Sequence, residues 1–171
     1  VITVGIDPGI TGAVAFVDSR GSCVVEDIPT VELPGNGMVK RRIDGRALAL
    51  LLRRHVPAAD GVLVVLEAVG VMPSKGNSPQ SQGSLMRSLG AIEAVLEVLR
   101  LPVQTVRPQA WKAHYGLKRA KDEKDSAYKA RSLGVARGLY PNAAAAALAR
   151  AKDHNRAEAV LLAHYGQKEL S

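Results

Sequence analysis

Two carboxylates stand at the ends of two apolar runs in this 171-residue chain. Val1-Ile-Thr-Val-Gly-Ile leads into Asp7, and Val62-Leu-Val-Val-Leu leads into Glu67. Short, near-continuous apolar runs rich in β-branched residues read as buried strands, so each acid closes a strand that is otherwise core. If the two strands are parallel neighbours, their carboxyl ends set Asp7 and Glu67 side by side. Like charges held together out of water are costly and demand a cation or a shared proton. Hard oxygen donors favour Mg²⁺ or Mn²⁺ over softer metals. Near the other end, Lys152-Asp-His-Asn-Arg-Ala-Glu158 opens a stretch of small and apolar residues. His154 and Glu158 are four apart and share a side if a helix already includes His154. Asp153 either curls onto the same metal or caps the helix, and Asn155 reads as an N-cap. Asp7, Glu67 and Glu158, with Asp153 and His154 beside them, suit two-metal phosphodiester hydrolysis.

The elements that must position these residues follow from the pattern. Val1–Asp7, Gly12–Asp18 and Ser22–Ile28 are strands joined by short turns, which forces an antiparallel meander. Residues 29–43 read as an exposed connection ending in Lys40-Arg41-Arg42. Asp44 caps a helix through Val56 that buries Leu48, Leu51 and Leu52, and Pro57 stops it. A strand at 62–67 comes next, then a loop over 68–83. A helix from Ser84 to Arg100 carries an apolar stripe of Leu85, Leu89, Ile92, Leu96 and Leu99. A short strand spans 102–106, and Pro108 opens a short helix bearing Trp111, which reads as core. Residues 125–138 form a basic helix, 143–151 can be helical, and 156–165 form the last helix, ended by Gly166. The order predicts one α/β domain over residues 1–171, of RNase H-like type. Its mixed five-stranded sheet is a three-strand antiparallel meander plus two parallel strands, with helices on both faces.

Charge points to the substrate. The chain has 23 Lys and Arg against 16 acids, a net of +7. Residues 1–39 hold one Arg against five acids, so the basic excess lies entirely in residues 40–171. That asymmetry is the usual footprint of a polyanion partner. Lys112, Lys118, Arg119, Lys121 and Lys124 lie together in sequence and would contact phosphates. The loop after Glu67 overhangs the acids, and its Lys75, Asn77, Gln80 and Gln82 can bond phosphates or base edges. One cysteine, Cys23, cannot make an internal disulfide or a cysteine-based zinc site. No apolar run approaches the roughly 20 residues that span a bilayer, and no signal-peptide pattern precedes the first strand. The expectation is an intracellular protein that works with DNA and without a membrane.

Gly5-Ile-Asp-Pro-Gly-Ile-Thr-Gly-Ala-Val-Ala15 resembles the first motif of the RuvC family of Holliday-junction resolvases. The resemblance continues through Leu66-Glu67, through Pro108-Gln-Ala-Trp-Lys-Ala-His-Tyr-Gly-Leu117, and through Lys124-Asp-Ser-Ala-Tyr-Lys-Ala130. It closes with His154-Asn-Arg-Ala-Glu-Ala-Val-Leu-Leu-Ala-His-Tyr-Gly166, and its later motifs are most similar to the chloroplast and bacteriophage branch. The resemblance implies a homodimeric, Mg²⁺-dependent endonuclease, with Mn²⁺ substituting, that makes paired nicks in four-way DNA. Asp7, Glu67 and Glu158 match the family's acidic positions. In bacterial members the fourth position lies three residues before the last acid, which is Asn155 here. The chloroplast-like pattern places Asp153 or His154 there, and Asp153 is the expected ligand. Paired cleavage needs two sites related by a two-fold axis, and Met86, Leu89 and Ile92 on the 84–100 helix are the expected interface. Two other readings compete. One is an RNase H-like scaffold that binds DNA without cutting it. The other is a fragment of an actin- or sugar-kinase-type phosphotransferase, for which 171 residues leave no room for a second lobe.

Overall fold

A strand meander opens the computed structural model, which describes residues 1–35, 37, 39–56, 61–70 and 78–170. Strands β1 (Ile2–Asp7), β2 (Ala13–Asp18) and β3 (Cys23–Asp27) pair antiparallel in sequence order. A small separate hairpin follows, β4 (Thr30–Glu32) with β5 (Arg41–Ile43). Helix α1 (Gly45–His55) starts at Asp44, whose side chain accepts from Ala47 N at 3.0 Å. Strand β6 (Val62–Glu67) then runs parallel to β1, with Ile6 opposite Leu66. Helix α2 (Pro79–Val98) leads to β7 (Val103–Val106), which is parallel to β6 and pairs Val106 with Glu67. Helices α3 (Pro108–His114), α4 (Asp125–Leu139), α5 (Pro141–Ala146) and α6 (His154–Glu169) complete the chain. The sheet order is β3-β2-β1-β6-β7, the mixed RNase H-like arrangement that the sequence predicts.

Strand alternation divides the core into two layers. Val4, Ile6, Val14, Phe16, Val64 and Leu66 face α1 and α2, where they meet Leu48, Leu52, Ile92 and Leu96. Ala13, Ala15, Val17 and Val65 face the opposite way, against Trp111, Leu133, Val160 and Ala163 of the other helices. Asp7 shares the parity of Thr3 and Gly5, and Glu67 that of Val65, so both acids belong to the α6 side.

That side is packed unusually close. A Cβ on Gly5 would land on Ala159 O and Ala163 N, and one on Gly166 would meet Val65 Cγ2. Glycine at both contacts lets α6 lie directly on the centre of the sheet, and it carries Glu158 to the strand ends. Gly166 is therefore inside α6, not beyond it. The expected stop at Gly166 is corrected by this packing, since a glycine that permits backbone approach looks like a C-cap in sequence.

Other boundaries also move. The region 29–43, expected as a bare connection, holds the β4–β5 hairpin, anchored by buried Ile43. Its strands are only three residues long and mostly polar, too short for a period to show. Helix α2 begins at Pro79, not Ser84, with Ser78 accepting from Ser81 N. Gln80 and Gln82 thus lie in its first turn and not in a loop. Helix α5 starts at Pro141 and ends at Ala146, earlier than expected.

Candidate metal centre

The parallel β1–β6 register decides the site. Asp7 and Glu67 follow the paired residues Ile6 and Leu66, so the two acids leave adjacent strands at the same level. Helix α6 crosses this face and adds Glu158 from its second turn. One ligand oxygen from each of Asp7, Glu67 and Glu158 lies within 4.8 Å of the other two. Among the described residues this is the group of acids placed to share a metal.

The electrostatics are those of an under-compensated cluster. Burial pushes the Asp7 carboxyl well above the usual carboxylate range, and the charges of Glu67 and Glu158 push it further, against the pull of Lys112. Burial also raises Glu67, while Lys112 and a hydrogen bond from Trp111 oppose the shift. The Lys112 ammonium lies 3.5 Å from Glu158 Oε2, 4.9 Å from the Trp111 ring centre and 5.6 Å from that of Tyr128. Burial alone would lower the Lys112 pKa, but Glu158 and then Glu67 reverse this, and the net shift is upward. One ammonium stands among three carboxylates.

Helix α3 supplies this second layer. Trp111 is fully buried, and its Nε1 donates to Glu67 Oε1 at 3.0 Å. Sequence reasoning reads Trp111 as core, which is correct, but misses its bond to Glu67. The available signal is the indole N–H itself, since a buried tryptophan needs an acceptor. Lys112, expected to contact phosphates, lies beside the acids, 3.5 Å from Glu158 Oε2.

Asp153 and His154 do not join the cluster. Asp153 holds the N-cap position of α6 but makes no capping bond with its side chain. Its buried carboxylate accepts from Arg150 N and Arg150 Nη2, both at 2.8 Å, and Arg156 lies 3.9 Å away. Those arginine bonds hold its carboxyl below the usual range. Asn155 is likewise not the cap: its Nδ2 donates to Thr11 O at 2.7 Å and ties α6 to the β1–β2 turn. His154 opens α6 and lines a 740 Å³ cleft with Arg41, Lys152 and Asn155.

The other expected contacts divide. Lys118, Lys121 and Lys124 are exposed on the loop between α3 and α4. Arg119 is exposed but engaged, donating to Asp125 Oδ1 at 3.3 Å and to Glu123 O at 3.2 Å. Arg131 braces the same loop through Glu123, Gly116 O and Lys118 O. Gln80 lines a 640 Å³ cleft with Lys40, Arg41 and the turn after β1. Lys75 and Asn77 lie outside the described residues. Of the expected interface, Met86 is 40% exposed and Leu89 packs partly against the core. Ile92 is a correction: it has no exposed surface and belongs to the core between α2 and the sheet, so it cannot face a partner. Among the described residues no helix is long and apolar enough to cross a membrane.

No family model matches the chain, and no curated protein does. Solved structures do. Thermus thermophilus RuvC in complex with Holliday junction substrate matches at 15% identity and TM-score 0.57, covering 99% of this chain and 97% of that one. A second Thermus thermophilus RuvC structure matches at 18% identity and TM-score 0.52, covering 98% and 96%. The yeast mitochondrial Holliday junction resolvase Ydc2 matches at 12% identity and TM-score 0.57, covering 94% of this chain and 75% of that one. At these identities the likeness is one of fold: this chain has the RNase H-like architecture of the RuvC-type Holliday junction resolvases.

Proposed function

We propose that this chain is a structure-selective endonuclease that resolves four-way DNA junctions by paired phosphodiester hydrolysis. The observation that carries the reading is the convergence of Asp7, Glu67 and Glu158 at the carboxyl ends of the parallel strands of a RuvC-type sheet. The donor set fits a hard divalent cation: three carboxylates, oxygen only, with one ammonium to offset them. Asp7, Glu67 and Glu158 would hold Mg²⁺, or Mn²⁺ in its place, and we assign two ions to each site. Bound there, the metal supplies an activated water and charge stabilisation at the scissile phosphate.

The chain's own groups account for the rest of the reading. Lys112 brings a positive charge to the edge of the acids, where a phosphate would arrive. Lys118, Lys121 and Lys124 extend that positive track along the α3–α4 loop, and Gln80 and Gln82 offer amides from the start of α2. Resolution of opposed strands requires two copies, and the exposed edge of α2 around Met86 and Leu89 is the proposed contact. An enzyme of this kind works inside a cell, on chromosomal or phage DNA. We assign the whole of residues 1–171 to one nuclease domain.

The deciding experiment is cleavage of labelled four-way junctions beside matched duplex and flap DNA, with and without Mg²⁺. Paired, metal-dependent nicks in the junction alone are expected. Junction binding without cleavage would favour a DNA-binding scaffold, and nucleotide hydrolysis without DNA cleavage would favour the phosphotransferase reading. Met86→Glu should give a folded monomer by light scattering that no longer nicks both strands in concert. A dimeric variant with full activity would place the interface elsewhere.

A further inference from the structure

We propose that Trp111 is a positioning residue for Glu67, its indole N–H holding one carboxylate oxygen so that the other is presented to divalent metal in one orientation. The inference rests on the metal-centre reading above and assigns a role to a residue outside the ligand set.

The terminal torsion of a glutamate is soft, with broad, roughly two-fold preferences. A carboxylate left to itself at the edge of a sheet samples many orientations. Glu67 is not left to itself, because Trp111 Nε1 donates to its Oε1 at 3.0 Å. The donor cannot drift, since the indole has no exposed surface and is wedged in the core with Val106, Leu117 and Leu133. Nor is the bond easily given up, because a buried N–H without a partner is costly. The backbone reinforces the geometry: Glu67 pairs with Val106, Ala68 N donates to Val106 O at 2.8 Å, and α3 starts at Pro108. Among the described residues no other hydrogen bond reaches the Glu67 side chain, so Oε2 stays uncommitted. Partners that orient a metal ligand in this way typically contribute 10–100-fold to metal affinity.

Trp111 is the single tryptophan of the chain, so its emission reports on this bond directly. Three measurements test the inference. Mg²⁺ titration of the wild-type protein should change the indole emission saturably, with a midpoint equal to the calorimetric Kd. Trp111→Phe, checked for folding by circular dichroism, should bind Mg²⁺ about 10–100-fold more weakly. Leu133→Ala, which loosens the same core without removing a donor, should keep wild-type affinity. If Trp111→Phe does not fold, Glu67→Gln decides: its emission should no longer respond to Mg²⁺, and a persisting response overturns the inference. Wild-type affinity in Trp111→Phe, or calorimetric binding with unchanged wild-type emission, overturns it while leaving the metal centre standing. No calorimetric binding of Mg²⁺ or Mn²⁺ to the wild-type protein overturns both.

Discussion

Glu158 and Asp153 lie five residues apart around the start of α6, and they sit in opposite electrostatic settings. On one side of the helix, Glu158 joins Asp7 and Glu67 with a single ammonium among the three. On the other, Asp153 is gripped by Arg150, and Arg156 forms a two-pronged pair with Asp27 at 2.6 and 2.7 Å. The carboxyls of Asp153 and Asp27 are held low by arginine bonds, whereas burial and neighbouring acids hold Asp7 and Glu67 high. Both groups lie at the same end of the sheet. Acids that find arginines fasten α6 to the β3 end and to the loop before it. Acids that find one another keep charge in reserve for a ligand.

The sharpest way to break this contrast is Asp7→Asn. Cleavage should be lost, and junction binding should hold or tighten because a negative charge facing phosphates is gone. Stability should rise as well. A carboxyl whose folded pKa is raised contributes stability below its unfolded pKa, near 3.8, and that stability is lost as pH rises through the folded value. Above that range the raised Asp7 carboxyl works against folding, and replacing it with an amide that never ionises should add about 1 kcal/mol, or roughly 2–4 °C in Tm for a chain of this size. Calorimetric melting beside a junction-cleavage gel checks both halves. Wild-type cleavage in this variant would remove Asp7 from the site.

Asp153→Asn should do the reverse. Loss of a buried, charge-assisted set of bonds should cost about 1–3 kcal/mol, with Mg²⁺ affinity unchanged by calorimetry. The pH dependence has the opposite sign too: a depressed carboxyl contributes stability above its unfolded pKa, and loses it as pH falls through the folded value. Urea unfolding followed from about pH 5 downward should accordingly show a shallower acid loss in the variant than in the wild type. Unchanged stability with lost metal affinity would move Asp153 into the ligand set.

A smaller effect separates two neighbouring cations on the proposed DNA track. Lys118→Ala should reduce the slope of log affinity against log salt by about 0.9, the loss of one phosphate contact. Arg119→Ala should change it far less, because its guanidinium already bonds Asp125 and Glu123. Fluorescence anisotropy on the Asp7→Asn background, which cannot cut, measures both. Equal slopes for the two variants would show that DNA displaces the Arg119 bonds. The smallest expected effect is that of Asn155→Ala, about 1 kcal/mol for the lost tie to Thr11, read by chemical denaturation. A loss of metal affinity in that variant would reopen the fourth position of the site.

Much of this is legible in the amino-acid sequence. The meander follows from turns too short for a crossover, and the parallel pair from the helices and strands that alternate after it. Asp7 and Glu67 are readable because a carboxylate closing a buried strand contradicts its surroundings. Glu158 is readable because it stands among alanines at a helix start. The β4–β5 hairpin and the first turn of α2 are not, since their few polar residues show no period. Gly166 misleads for a different reason: one residue type serves both a helix stop and a close contact.

Sequence by itself determined the meander, the alternation of helices and strands, and the candidate acids Asp7, Glu67 and Glu158 with Asp153 beside them, because apolar periodicity and local turn chemistry are written along the chain. Tertiary structure alone decided which acids would be compensated. Arg150 reaches Asp153 from three residues away, but Arg156 reaches Asp27 across 129 positions, and Trp111 reaches Glu67 across 44. Contacts of that separation depend on how α3 settles beside the sheet and how closely α6 lies on it, an approach that Gly5 and Gly166 permit and no local pattern announces. A charge becomes structural or available according to what lies within a few ångströms of it in the folded chain.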